Sequence, residues 1–266
     1  MGPDSSATID RGTISLSPHK IKDTIEVIST FVSRTGGAPL SEWQKVAGQI
    51  SWLLDLIPMA RPALAEFFRE VKGASPNKFI HFNETIKSNL SWLLHVLPTI
   101  LDIPWEDQSA DIIMYCDATL SLGISFNDGN KVFLYRIRSD SARGGAEPDI
   151  FFMKEMGVLF ALFHASTQKP LPRRLIIHCD NMNTVQAFED MYASDVMHTA
   201  PLLAAASIAF DRGIDFRVRY IEREKNAMAD LISCLNFTEF SPRFKRRVHT
   251  FIPPETLLPD EWRKLY

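Results

Sequence analysis

Two apolar stretches of this chain end alike. Ile112 to Asp117 reads IIMYCD, and Leu175 to Asp180 reads LIIHCD. A short run this apolar, rich in Ile and bounded by polar residues, is what a strand covered on both faces looks like. Two such strands in one chain need helices to cover them. Each ends in Cys-Asp, so an acid closes each strand.

The segments around them give the order of a domain. LGISFNDGNKVFLYRI reads as a hairpin with Asp128-Gly129 in the turn. A polar loop, RSDSARGGAEPD, leads into IFFMKEMGVLFAL, an apolar run of helical length. NMNTVQAFEDM and APLLAAASIAFDRG read as helices, the second stopped by Gly213. IDFRVRYI is a further strand and EKNAMADLISCL a last helix. Three strands, helix, strand, two helices, strand, helix predicts an α/β domain over 108–240. Its core would be a mixed five-stranded sheet flanked by helices. The tail, 241–266, is basic and Pro-rich, an irregular segment packed on the surface.

Upstream the texture is helical. Residues 15–105 are expected to form a small all-helical module. Ser17 stands as N-cap before Pro18, and Ile21, Ile25, Ile28 and Val32 follow at helical spacing. A second helix should start near Ser41, with Gln44 completing a capping box. Pro58 and Pro62 bend or break it, PALAEFFREVKG resumes, and Asn83 caps a further helix. Trp43, Trp52 and Trp92 read as packing residues. The leader, 1–14, is polar and rich in Gly, Pro and Ser, and is expected to be disordered.

Charge excludes some functions. Lys and Arg number 29 against 32 Asp and Glu, a formal charge of −3, without the bulk basicity of a protein that lives on nucleic acid. Nucleic-acid contact would need local groups. The candidates are Arg173 and Arg174, the cluster Arg243, Lys245, Arg246 and Arg247, and the amides Asn181, Asn183 and Asn226. Three scattered cysteines, Cys116, Cys179 and Cys234, fit buried thiols in a reducing compartment. No apolar run long enough for a membrane span occurs, and no signal peptide is visible, so an intracellular protein is expected, in cytoplasm or nucleus. His164, His178 and His198 lack metal-site spacing and read as core or surface histidines.

Asp117 and Asp180 close strands that are plausible neighbours. A third acid, Asp230, sits in the last helix within NAMAD. Carboxylates clustered without basic partners repel one another unless cations fill the cluster. Hard oxygen ligands suit Mg²⁺ or Mn²⁺, and a pair of such ions about 4 Å apart can clamp a phosphoryl displacement.

These motifs together resemble the ribonuclease H domain of retroelement reverse transcriptases, of the fungal and tyrosine-recombinase type. YCDATLSLGISF is similar to its first strand and hairpin, LIIHCDNMNTVQAF to its Asp-Asn junction, and YIEREKNAMADLIS to its N-x-x-A-D-x-x-S helix. LSPHKIKDTIEVISTFVSR and QKVAGQISWLLDLIPMARPAL resemble the thumb and connection segments that precede such a nuclease. The resemblance implies Mg²⁺- or Mn²⁺-dependent hydrolysis of the RNA strand of an RNA/DNA hybrid. Asp117, Asp180 and Asp230 would hold the metals, and nucleic acid would be the partner. The alternative is a non-catalytic module that binds nucleic acid, or a protein through its helical half.

The family also has a Glu early in its first helix, followed at three and seven positions by small residues. Here the small residues are Gly157 and Ala161, and counting back reaches Lys154, not Glu155. Neighbours on a helix point about 100° apart, so the two cannot both face the acids. A one-residue shift or local bulge would bring Glu155 into the catalytic set instead, and Val158, Leu159 and Leu162 give it an apolar stripe of its own. With Lys154 inward, activity would be impaired. No histidine lies between Tyr220 and Asp230, where many active relatives carry one.

Overall fold

The computed structural model describes residues 7–10, 13–99, 102–104, 109–137, 149–238 and 247–258. The chain divides into two compact units, 1–108 and 109–266.

The first unit is built mainly on four helices: α1 (Pro18–Val32), α2 (Leu40–Leu56), α3 (Arg61–Lys72) and α4 (Glu84–Val96). Asn83 caps α4, its Oδ1 accepting from the Ile86 N–H at 2.7 Å. The indole of Trp43 is fully buried and stacks with Phe67 and Phe82 at 5.0 and 5.2 Å, with Phe31 edge-on at 5.0 Å. This aromatic cluster is the centre of the unit. Trp52 is only partly buried, and Lys20 lies over its ring.

Three expectations for this unit are corrected. It is not all-helical. Strands β1 (Ala7–Asp10), β2 (Thr13–Leu16) and β5 (Asp102–Pro104) form one antiparallel sheet, and β3 (Gly37–Pro39) pairs with β4 (Phe79–His81) in another. Part of the leader therefore has regular structure, because β2 finds a partner in β5, far along the chain. Finally, α2 begins at Leu40 after Pro39, which leaves Ser41 inside the helix and no capping box. Tertiary contact sets that start: Leu40 is buried, and its N–H donates to the Lys78 carbonyl at 2.8 Å.

The second unit holds a mixed sheet of six strands. Strands β6 (Ile112–Ala118), β7 (Gly123–Asn127) and β8 (Val132–Arg136) run antiparallel. Strand β9 (Arg174–Cys179) lies parallel to β6, and β10 (Asp215–Tyr220) parallel to β9. A sixth strand, β11 (Val248–Thr250), adds parallel to β8, giving the order β10-β9-β6-β7-β8-β11. The sheet was expected to have five strands. The sixth comes from the tail, whose Phe251 N–H donates to the Leu134 carbonyl and whose ring packs on Phe126 and Phe160.

Helices cover both faces. Helix α5 (Ile150–Ser166) lies against one of them: a Cβ on Gly157 would sit 3.5 Å from Ile124 and 3.6 Å from Cys116. Helices α6 (Met182–Asp190) and α7 (Val196–Arg212) pack on α5. The short α8 (Ala227–Ser233) covers the opposite face, since Ser125, next to Ile124 in β7, donates its hydroxyl to the Ala229 carbonyl at 2.7 Å. The apolar run at 150–162 is thus buried almost all round, between sheet and α7. This is an α/β architecture compatible with a ribonuclease H-like fold.

Candidate functional site

Strands β6 and β9 are parallel neighbours, so Asp117 near the end of β6 and Asp180 just after β9 emerge at the same end of the sheet. Helix α5 starts near that end. Its N-cap is Asp149, whose Oδ1 accepts from the Phe152 N–H at 2.8 Å. One turn in, Lys154 turns toward the strand ends. Its Nζ donates to Oδ1 of Asp117 and to Oδ1 of Asp180. All three side chains are nearly closed to solvent, at 11%, 2% and 9% exposure.

The other oxygen of Asp117 accepts from the hydroxyl of Ser233, at the end of α8. That bond ties α8 to the strand end, and the same hydroxyl oxygen lies 2.9 Å from the Asp230 carbonyl of its own helix. The Asp230 carboxylate has a cation of its own. It accepts from Arg223 at 2.9 Å, and Arg223 feels the charges of all three aspartates.

The electrostatics follow from this placing. Burial alone would lower the Lys154 ammonium, but the charges and hydrogen bonds of Asp117 and Asp180 outweigh it and raise it. Burial carries the Asp117 carboxyl upward, with the Asp180 charge adding to that, against the pull of Lys154 and Ser233. The two partners thus point in opposite senses. The ammonium decides the state of the cluster, because one cation touching two carboxylates favours the ionised form of both.

Glu155, one residue on, turns away from this cluster. It is fully buried toward α7, and its Oε2 shares a 2.7 Å hydrogen bond with Nδ1 of His198. Burial, aided by the Asp149 charge, pushes its carboxyl up to about 9.

A pair of Mg²⁺ or Mn²⁺ ions does not fit these residues as they stand. The Lys154 ammonium occupies the position between Asp117 and Asp180 that a bridging cation would need, and Arg223 is bonded to Asp230. Among the described residues no three His, Cys, Asp or Glu side chains group so as to hold a metal ion.

The remaining sequence candidates scatter. Asn181 caps α6, its Oδ1 accepting from the Thr184 N–H at 2.9 Å, and Asn183 is exposed on that first turn. Asn226 is buried at 1% exposure and donates to the Cys116 carbonyl at 2.9 Å, a strap between α8 and β6 facing no solvent. Arg173 and Arg174 stand at the opposite end of β9 from Asp180, about 20 Å away by strand rise. Their N–H groups donate to the Asp111 carboxylate. Arg247 lies before β11 at the far edge of the sheet, its carbonyl accepting from the Val132 N–H. Arg243, Lys245 and Arg246 fall outside the described residues. Ser233 and Arg223 were not singled out from sequence, and His198 was read only as a core or surface histidine. Ser233 closes the N-x-x-A-D-x-x-S pattern and so had a signal. His198 had none, being 43 residues from Glu155.

The sheet order and its flanking helices define an α/β domain compatible with a ribonuclease H-like fold. No family model matches the chain, and no curated protein matches it. Among solved structures it is similar to a foamy viral protease-reverse transcriptase. With RNA/DNA hybrid, that protein matches at 11% identity and a TM-score of 0.33, over 80% of this chain and 29% of that one. Two further structures of it match: the form designated dRH with double-stranded DNA, and a complex with double-stranded DNA. They give 12% and 10% identity, TM-scores of 0.31 and 0.29, and coverage of 80% and 81% of this chain against 38% and 45% of theirs. This chain spans less than half the length of those proteins. Likeness at such scores carries no argument about fold or chemistry, which rest on the sheet order and the cluster itself.

Proposed function

We propose that the second unit is a retroelement-derived ribonuclease H-like domain in which two-metal hydrolysis is lost or strongly impaired, leaving a module that binds nucleic acid without cutting it. In this reading the first unit is the remnant of thumb and connection segments. The observation that carries it is the Lys154 ammonium bonded at once to Asp117 and Asp180. A protein cation there neutralises the charge that would recruit metal ions, and it cannot activate water as a metal does. The pairing also relieves the repulsion that two buried carboxylates would otherwise suffer.

The test uses a labelled RNA/DNA hybrid with Mn²⁺, the full chain and its Lys154→Glu variant. The wild type is expected to retain the hybrid in a salt-sensitive gel-shift assay and to leave it intact. The variant returns a carboxylate to the strand ends and is expected to regain some cleavage. Cutting by the wild type at a rate comparable to the variant would overturn the reading, and so would failure of the wild type to bind the hybrid at low salt.

A further inference from the structure

Glu155 is buried to 0% exposure on the side of α5 that faces α7. A carboxyl so placed is costly unless it is neutral or fully bonded. Oε2 meets His198 Nδ1 at 2.7 Å, while Oε1 has no partner among the described residues. His198 is itself 5% exposed, with the Phe151 ring stacked on it at 4.0 Å. Its other nitrogen, Nε2, faces Oδ2 of Asp149 at 3.6 Å. One imidazole therefore joins the buried acid to the residue that caps α5.

We propose that Glu155 and His198 form a proton-holding latch between α5 and α7, which keeps Lys154 seated between Asp117 and Asp180 and unseats it when the proton is lost.

With Glu155 protonated, its Oε2–H donates to Nδ1 of His198, and the Nε2–H of His198 points toward Asp149. The seam is then neutral and closed. Among the described residues, the one group facing Glu155 that can carry a positive charge is His198, and it shares this same proton. Asp149 is itself an acid. The Lys154 ammonium is turned to the strand ends. On α6, which also packs on α5, Glu189 and Asp190 lie exposed and bonded to Arg219 and Gln186. Beneath α5, Cys116 and Cys179 are buried thiols. Loss of the proton leaves a bare charge in an apolar seam, and the first turns of α5 must open to let water in. Lys154 rides on those turns. Its own ammonium is raised, so it leaves because the helix moves, not because it deprotonates first.

The latch is tested on the full chain and its Glu155→Gln variant, which keeps shape and a donor to Nδ1 but cannot ionise. Each receives a brief pulse of an amine-acylating reagent at neutral pH and again at about pH 10.5. Mass spectrometry reads labelling of Lys154 relative to Lys131, which is exposed. In the wild type the ratio is expected to rise about tenfold or more between the two pH values, as local opening would demand. In the variant it is expected to stay flat. A rise in both proteins, or in neither, overturns the proposal. An infrared spectrum of the wild type needs no variant: it should show the carbonyl stretch of a buried protonated carboxyl at neutral pH and lose it at about pH 10.5. Its absence at neutral pH equally overturns the latch. Hybrid cleavage by the wild type would sink the function proposed above and leave the latch standing.

Discussion

Lys154 and Glu155 are adjacent in α5 and serve opposite sides of it: the ammonium bonds Asp117 and Asp180 at the sheet, and the carboxyl shares a 2.7 Å bond with His198 on α7. The helix cannot turn the acid toward the strand ends without breaking both sets of bonds. The identity of the residue facing the carboxylates is therefore held from two sides.

Removing the cation should be costly. Lys154→Met keeps much of the stem but leaves two buried carboxylates facing each other. The expected loss is roughly 3–5 kcal/mol in urea unfolding, the scale for breaking a buried pair. Adding Asp117→Asn to that variant removes the repulsion and should recover part of the loss. Strict additivity of the two substitutions would show that the side chains are not coupled.

The Glu155 carboxyl makes stability depend on pH. Its folded value, about 9, lies above the ordinary 4.5, so the folded state holds a proton that the unfolded chain releases. Stability from this group is complete below about pH 4.5 and is lost as pH rises toward about 9. Glu155→Gln removes that slope. The variant should match the wild type near pH 4.5 and exceed it by about 3 kcal/mol at neutral pH, read from urea midpoints across the range.

Two groups around α8 should differ sharply in weight. Ser233 is fully buried and donates to the Asp117 carboxylate, so Ser233→Ala should cost roughly 1.5–3 kcal/mol. The Arg223 side chain is 71% exposed, and its pairing with Asp230 is screened by solvent. Arg223→Ala should cost far less than Ser233→Ala, and less still at high salt. Equal losses from both would contradict the burial difference.

Gly157 tests how tightly α5 sits on the sheet. A Cβ there meets Ile124 and Cys116 at 3.5 and 3.6 Å, ordinary contact distances. Gly157→Ala should therefore be neutral or stabilise by up to about 1 kcal/mol through helix propensity. Gly157→Leu has no such room and should lower the thermal midpoint by several degrees. Binding of the hybrid, measured beside it, should survive the Ala change.

Much of the second unit was readable in the order of its residues. Short apolar runs bounded by polar or turn residues mark β6 to β10, and longer apolar stretches of helical length mark α5 to α7, because each element must bury one or both faces. Asn83 could be read as a cap, since its short amide bonds an N–H only three residues on. Ser41 misled for the complementary reason: Leu40 is buried, and its N–H goes to Lys78 from a distant part of the chain, so α2 starts earlier. The small sheets of the first unit and the sixth strand were equally hidden, being three or four residues long and made by pairing between remote segments.

At the strand ends, the residues by themselves determined that an acid closes each of two apolar strands, and that Gly157 and Ala161 would share a helix face with Lys154. Spacing is a local property, and it carries that far. Only the tertiary structure decided what each charged group meets: one ammonium for Asp117 and Asp180, Arg223 for Asp230, and His198 for Glu155. A buried charge takes its state from the partners within a few ångströms, and those partners come from parts of the chain whose approach no periodicity records.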